Sequence, residues 1–187
     1  NEELEIIITC PMIYSDKTVR KLIKENEKQI VRMISLQLRK KKEKKETPNS
    51  YLGEVIDVVY CNVIKKPVLE NEKLLVKDDK MLLKWYLVVA KEVFESRIQA
   101  IYDLFEEKIP YPKLKIRSMK TRWGVCNRRD NSVTLNLELI KKNQVFLDYV
   151  IVHELSHFVC FNHSPDFWKE VEKYCPNYKN IRKKLKE

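Results

Sequence analysis

Glycine is nearly missing: Gly53 and Gly124 are the only 2 among 187 residues. A P-loop and a G-x-G-x-x-G dinucleotide fingerprint each need more glycine than that, so both common phosphate-cradling architectures are excluded. The 5 cysteines (Cys10, Cys61, Cys126, Cys160, Cys175) are odd in number and scattered, with no C-x-x-C pair. That excludes a disulfide framework and a four-thiolate zinc site, and implies reduced, mostly buried thiols in a reducing compartment. No apolar run approaches the roughly 18–20 residues of a membrane span. The opening "NEELEIIITC" has no basic start ahead of its short apolar run. The expectation is a soluble, cytoplasmic protein without membrane contact. Histidine is also scarce, and its 3 copies, His153, His157 and His163, all fall inside "HELSHFVCFNH".

What is present describes a folded chain of one or two domains. Apolar residues make up 44% and aromatics 10%, enough to build a core. The formal charge of +10 favours acidic partners such as nucleic acid or acidic peptides. A lysine-rich solvated surface explains the charge as well, and this plainer reading is preferred.

Along the chain, "ELEIIIT" (3–9) reads as a strand and residues 17–46 as a helix, with an apolar stripe through Val19, Leu22, Ile23, Ile30, Met33, Ile34 and Leu38. That helix ends in the charged run "RKKKEKKE". Residues 51–76 read as a small antiparallel meander broken by Pro67 and Asn71. Residues 80–108 read as one long amphipathic helix stopped by "IPYP". "KLKIRSM" and "SVTLNLEL" alternate like strands, joined through "KTRWGVCNRRDN". A mostly apolar helix follows, from about Gln144 to Phe161. Ser164 then suits the N-cap and Pro165 the first turn of another helix, and a last helical piece runs from Pro176. The fold class is α+β, with a β-rich N-terminal region containing one long helix (1–79) and a C-terminal domain (80–187).

The helix spacing explains how "HELSHFVCFNH" can make a metal site. His153 and His157 are one turn apart and about 40° apart around the helix axis, so both imidazoles can reach one ion. Glu154, about 100° round, can contact a water at that ion without ligating it. His163, by simple continuation, would point roughly 80° away from His153. The helix must therefore end first, and Asn162 tolerates left-handed geometry there. Three neutral ligands with an open fourth position describe catalytic rather than structural zinc. A solitary H-E-x-x-H is a short pattern with accidental matches. Here, however, two histidines and a glutamate would sit on a largely buried helix, where unpaired polar groups are costly unless a metal takes them up. Cys160, close by, reads better as small filler than as a ligand.

"MKTRWGVC", "LNLELI", "YVIVHELSHFVCFNHSPDFW" and "PNYK" closely resemble the YgjP-like metallopeptidase family, zincin proteases related to the SprT-like and WLM groups. "TCPMIYSDKTVRKLIKENEKQI" and "YLGE" extend the likeness over nearly the whole chain. The resemblance implies a zincin-like catalytic domain with a small mixed sheet and an active-site helix. It implies zinc on His153, His157 and His163, with Glu154 as general base. It also implies that "SVTLNLE" is the strand beside the cleft, along which a peptide substrate could pair. Val125 departs from the family, which usually has serine there. The metzincins share the span between first and third histidines but carry glycine where this chain has Cys160.

Arg122 can anchor a carboxylate or phosphate and Trp123 can line the cleft; equally, Trp123 can be core and Arg122 the partner of a structural acid. Tyr149 and Tyr178 are candidate oxyanion donors. The first function is a zinc-dependent peptidase acting on protein or peptide. Two others compete. One is a metal-dependent hydrolase of another substrate, such as a nucleotide phosphoanhydride; the lack of a glycine-rich loop and of an Asp/Glu cluster for magnesium speaks against it. The other is a nucleic-acid-associated SprT-like protease, with "RKKKEKK" and "KLKIRSMKTRWGVCNRR" as DNA contacts. There solvated surface is the plainer reading.

Overall fold

A computed structural model describes residues 14–32, 34, 35 and 48–186. The chain forms two compact units, Asn1–Thr47 and Pro48–Glu187. In the first, Ser15 caps helix α1 (Asp16–Glu25) by accepting from the Thr18 N–H, and no side chain of α1 is buried. The helix expected over 17–46 is interrupted at Asn26, and helical turns resume over 27–32. The strand read at 3–9 and the charged run at 39–46 lie outside the described residues.

The second unit opens with a hairpin, β1 (Ser50–Tyr51) and β2 (Glu54–Val55). Its turn needs positive φ at Leu52 (52°) and Gly53 (93°). A methyl group at Gly53 would also come within 3.0 Å of the Asn143 Cα, so glycine serves both the turn and the close approach.

The expected antiparallel meander is only partly realised. Strands β3 (Asp57–Tyr60), β4 (Val68–Glu70) and β5 (Lys73–Val76) form a sheet in the order β3-β5-β4, with β3 parallel to β5. Leu74 and Val76 of β5 are fully buried, which puts that strand in the middle. A tight turn at Asn71 and Glu72, both at positive φ, folds β4 back inside the β3-to-β5 connection.

Helix α2 (Asp79–Tyr102) is capped by Asp78 and buries Trp85, Tyr86, Ala90, Phe94, Ile98 and Ile101, a stripe at three- and four-residue steps. It stops short of the expected Lys108 because tertiary contacts outcompete helix there. Phe105 stacks on Tyr174 with ring centroids 4.1 Å apart, and Glu107 bonds Lys173 and the Tyr174 hydroxyl.

A second three-stranded sheet positions the site. It is ordered β6 (Lys113–Arg117), β8 (Ser132–Asn136), β7 (Gly124–Asn127), with β6 parallel and β7 antiparallel to β8. Strand β7 comes out of the stretch read from sequence as a connection. The structure also corrects the role of "SVTLNLE". Strand β8 is central, with a neighbour on each side, so no peptide can pair along it; among the described residues β6 and β7 are the edge strands, and β7 is the one that lines the cavity. The expected strand ends at Asn136, whose buried amide donates to the Met119 and Arg122 carbonyls and accepts from the Glu138 N–H. A 3-10 turn, Leu137–Lys141, follows.

Helices α3 (Gln144–Val159), α4 (Pro165–Tyr174) and α5 (Tyr178–Lys186) complete the unit. A bidentate pair between Arg97 and Asp148 (2.7 and 3.0 Å) ties α3 to α2. The architecture is α+β with small mixed sheets, as expected. No described helix is long and apolar enough to cross a membrane. Cys61, Cys126, Cys160 and Cys175 are free thiols, half-buried rather than buried.

Candidate metal centre

Helix α3 is apolar on most of its surface and buries Leu147, Val150, Ile151, Val152 and Leu155 in the core. His153 and His157 project from the one turn that meets the cleft. Their ring centroids are 5.0 Å apart, and those of His163 lie 5.1 and 4.9 Å from the two. One ligand atom from each falls within 4.8 Å of the others. The three residues read as ligands are therefore brought together.

The turn that returns His163 differs from expectation. Asn162 is not left-handed: positive φ occurs among the described residues only at Leu52, Gly53, Asn71, Glu72 and Asn131. Cys160 makes the break instead, in an extended conformation (φ −119°, ψ 115°). Its carbonyl lies 3.3 Å from His157 Nδ1, placed to accept that proton and leave Nε2 free. Cys160 thus contributes its backbone, not its sulfur. Ser164 then caps α4 by accepting from the Phe167 N–H, which sets Phe167 and Trp168 against the histidines. Phe167, fully buried, stacks on His157 at 4.5 Å, and Trp168 stacks on His163 at 5.6 Å.

The donor set fits a metal on several counts. Burial first, then the other two histidines and Arg182, push His153 down to about 3; burial also lowers His157. Both imidazoles are thereby held neutral, the form that ligates. His153 Nε2 and His163 Nε2 are 3.1 Å apart, near the roughly 3.3 Å separating two nitrogens of a tetrahedral zinc with bonds of 2.0–2.1 Å. His153 Nδ1 is buried with no partner, so Nε2, which faces His163, is the nitrogen placed to ligate.

Glu154 is 5% exposed and faces the same cavity, which measures about 1050 Å³. Burial pushes its carboxyl up to about 8, against the opposing pull of the Cys126 N–H and the Arg122 charge. Strand β7 crosses directly over it. A methyl group at Gly124 would lie 2.5 Å from Glu154 Oε1 and 2.7 Å from its Cγ. Sequence reading missed this role; the signal was a solitary glycine opening a β-rich stretch in a chain almost free of glycine. Burial raises the Cys126 thiol to about 12, so it stays protonated.

Arg122, Trp123 and Val125 line the cavity. Arg122 has no acidic partner among the described residues. Trp123 serves both readings, packing partly on the core and lying under the Lys142 ammonium at 5.4 Å. Tyr149 lines the cavity, with burial raising its hydroxyl to about 12. Tyr178 packs on Trp168 outside it. Arg182 also lines the cavity and escaped the sequence reading, because nothing local links α5 to the histidines.

A family model described as YgjP-like, metallopeptidase domain, matches residues 1–187. Among curated proteins none matches. Two solved structures are similar over part of the chain. One is the metallopeptidase zymogen of Pyrococcus abyssi abylysin, 26% identical, covering 49% of this chain and 90% of its own, with a TM-score of 0.45. The other is the metallopeptidase zymogen of Methanocaldococcus jannaschii jannalysin, 23% identical, covering 51% and 91%, with a TM-score of 0.39.

Proposed function

Because the chain belongs to the YgjP-like metallopeptidase family, we propose that it hydrolyses peptide bonds with zinc held by His153, His157 and His163 and with Glu154 as general base. The observation that carries this reading is the convergence of three imidazoles within 4.8 Å beside a buried carboxylate in one cavity. Zinc bound there would acidify a water and polarise the substrate carbonyl.

The chain's own groups do the rest. Glu154 takes the proton of the attacking water at its carboxylate and passes it to the departing amine nitrogen. Its burial suits both halves of that exchange, since a carboxyl raised toward neutrality can accept and then release a proton. The Cys126 N–H and the space above Gly124 keep the carboxylate in place. Tyr149, whose hydroxyl makes no hydrogen bond among the described residues, is the candidate donor to the oxyanion. Strand β7, an edge strand among the described residues and part of the cavity wall, is the element along which an extended peptide would pair. These parts all belong to residues 80–187, the region we assign as catalytic.

The zinc-loaded chain is expected to cleave an unfolded protein, to stop when a chelator strips the metal, and to resume when zinc is returned. Release of phosphate or pyrophosphate from nucleotides without proteolysis would replace this reading with the phosphoanhydride hydrolase. Proteolysis that requires DNA, with DNA binding falling steeply with salt, would instead favour a nucleic-acid-linked protease.

A further inference from the structure

The cavity around the histidines is lined by five cationic side chains, Lys120, Arg122, Arg128, Lys142 and Arg182, and by two acids, Glu138 and Glu154. Glu154 is buried, and Glu138 is paired with Lys141, 3.0 Å away. None of the five cations has an acidic partner among the described residues, whereas Arg97, Lys115, Lys169, Lys173 and Lys179 elsewhere each do. Three of the five are held over aromatic rings instead. Arg128 lies 5.9 Å from the Phe161 centroid, Lys142 5.4 Å from Trp123, and Arg182 4.6 Å from Trp168.

This arrangement has a chemical consequence. A cation resting on an aromatic face is held in place while its N–H donors stay open at the edge to an incoming anion. The Arg182 support is itself braced, because Trp168 also stacks on His163 and on Tyr178. A divalent ion on three neutral imidazoles would add to this positive field rather than offset it.

We infer that the cleft selects peptide segments carrying carboxylates near the scissile bond, with Arg182 and Lys142 among the residues that read them. This rests on the peptidase reading above and names its substrate class. Nucleic acid would meet the same charge. However, the Trp168 ring is already covered by His163, Tyr178 and Arg182, which leaves Phe161 as the well-exposed ring at the cavity on which a base could stack.

The test uses the zinc-loaded full chain and internally quenched peptides that differ only in flanking residues: Asp and Glu, Gln, or Lys. The acidic peptide is expected to exceed the Lys peptide by at least about tenfold in kcat/KM at low salt, with the gap closing as salt rises. Arg182→Gln combined with Lys142→Gln should shrink that ratio while zinc content is unchanged. The same peptides, labelled and titrated into zinc-loaded Glu154→Gln, read binding without turnover. Equal cleavage and equal binding of all three peptides would overturn the inference and leave the peptidase intact. Preferential binding of the acidic peptide with no cleavage of any peptide by the wild type would sink the peptidase and keep the cleft's preference. A single-stranded oligonucleotide that displaces the acidic peptide, and binds more tightly at equal charge, would overturn the inference in favour of nucleic acid.

Discussion

Glu154→Gln is expected to lower kcat by roughly 10²–10⁴-fold, the usual contribution of a positioned general base, while zinc content stays that of the wild type. Glutamine matches glutamate in size, so the side chain can still fit beneath strand β7, but its amide cannot take a proton from water. Glu154 is 5% exposed and burial pushes its carboxyl up to about 8, so taking the ionised form that a general base needs costs stability. The neutral amide should remove that cost. The variant is therefore expected to melt no lower than the wild type, the opposite of what loss of a structural carboxylate would produce. Turnover and thermal unfolding measured on one preparation check both halves. A Glu154→Gln protein with wild-type turnover would end the general-base assignment.

The second large effect belongs to a residue with no side chain to take part in the chemistry. Gly124→Ala places a methyl group 2.5 Å from Glu154 Oε1, closer than any real contact allows. Either the carboxylate swings aside or β7 lifts, and both move the base from the histidines. A misplacement of about 1 Å can cost on the order of 100-fold in rate, and a loss of that size is the expected result. Gly124 is not at positive φ, so alanine suits the backbone there and the effect should be steric rather than conformational. The mechanism also predicts non-additivity. In a Glu154→Gln background, Gly124→Ala should remove little further activity, because the group it displaces is already disabled. Fully additive losses would mean that Gly124 acts by another route.

How much of this was legible in the sequence follows from the range of the interactions. His153, Glu154 and His157 are set by helix geometry alone, and Ser164 with Pro165 announces α4 by local capping. That information lies within a few residues and was readable. The return of His163 was also readable, though not its device, since nothing local distinguishes an extended Cys160 from a left-handed Asn162. Strand β7 is four residues long. It exists because β8 pairs with it, a dependence that periodicity does not record. The same applies to β3 beside β5 and to the early end of α2, where Phe105 and Glu107 find partners on α4. Arg182 reaches the site only because α5 packs back across α3. The chemistry was therefore visible and the walls of the cleft were not.

The account stands on the three histidines holding one metal. Zinc per chain, measured after purification without added metal for the wild type and His163→Ala side by side, tests that most directly. The account predicts about one zinc per wild-type chain and much less in the variant, because a three-histidine site loses a ligand. Wild-type protein that carries no zinc, and takes up none when it is supplied, would contradict it.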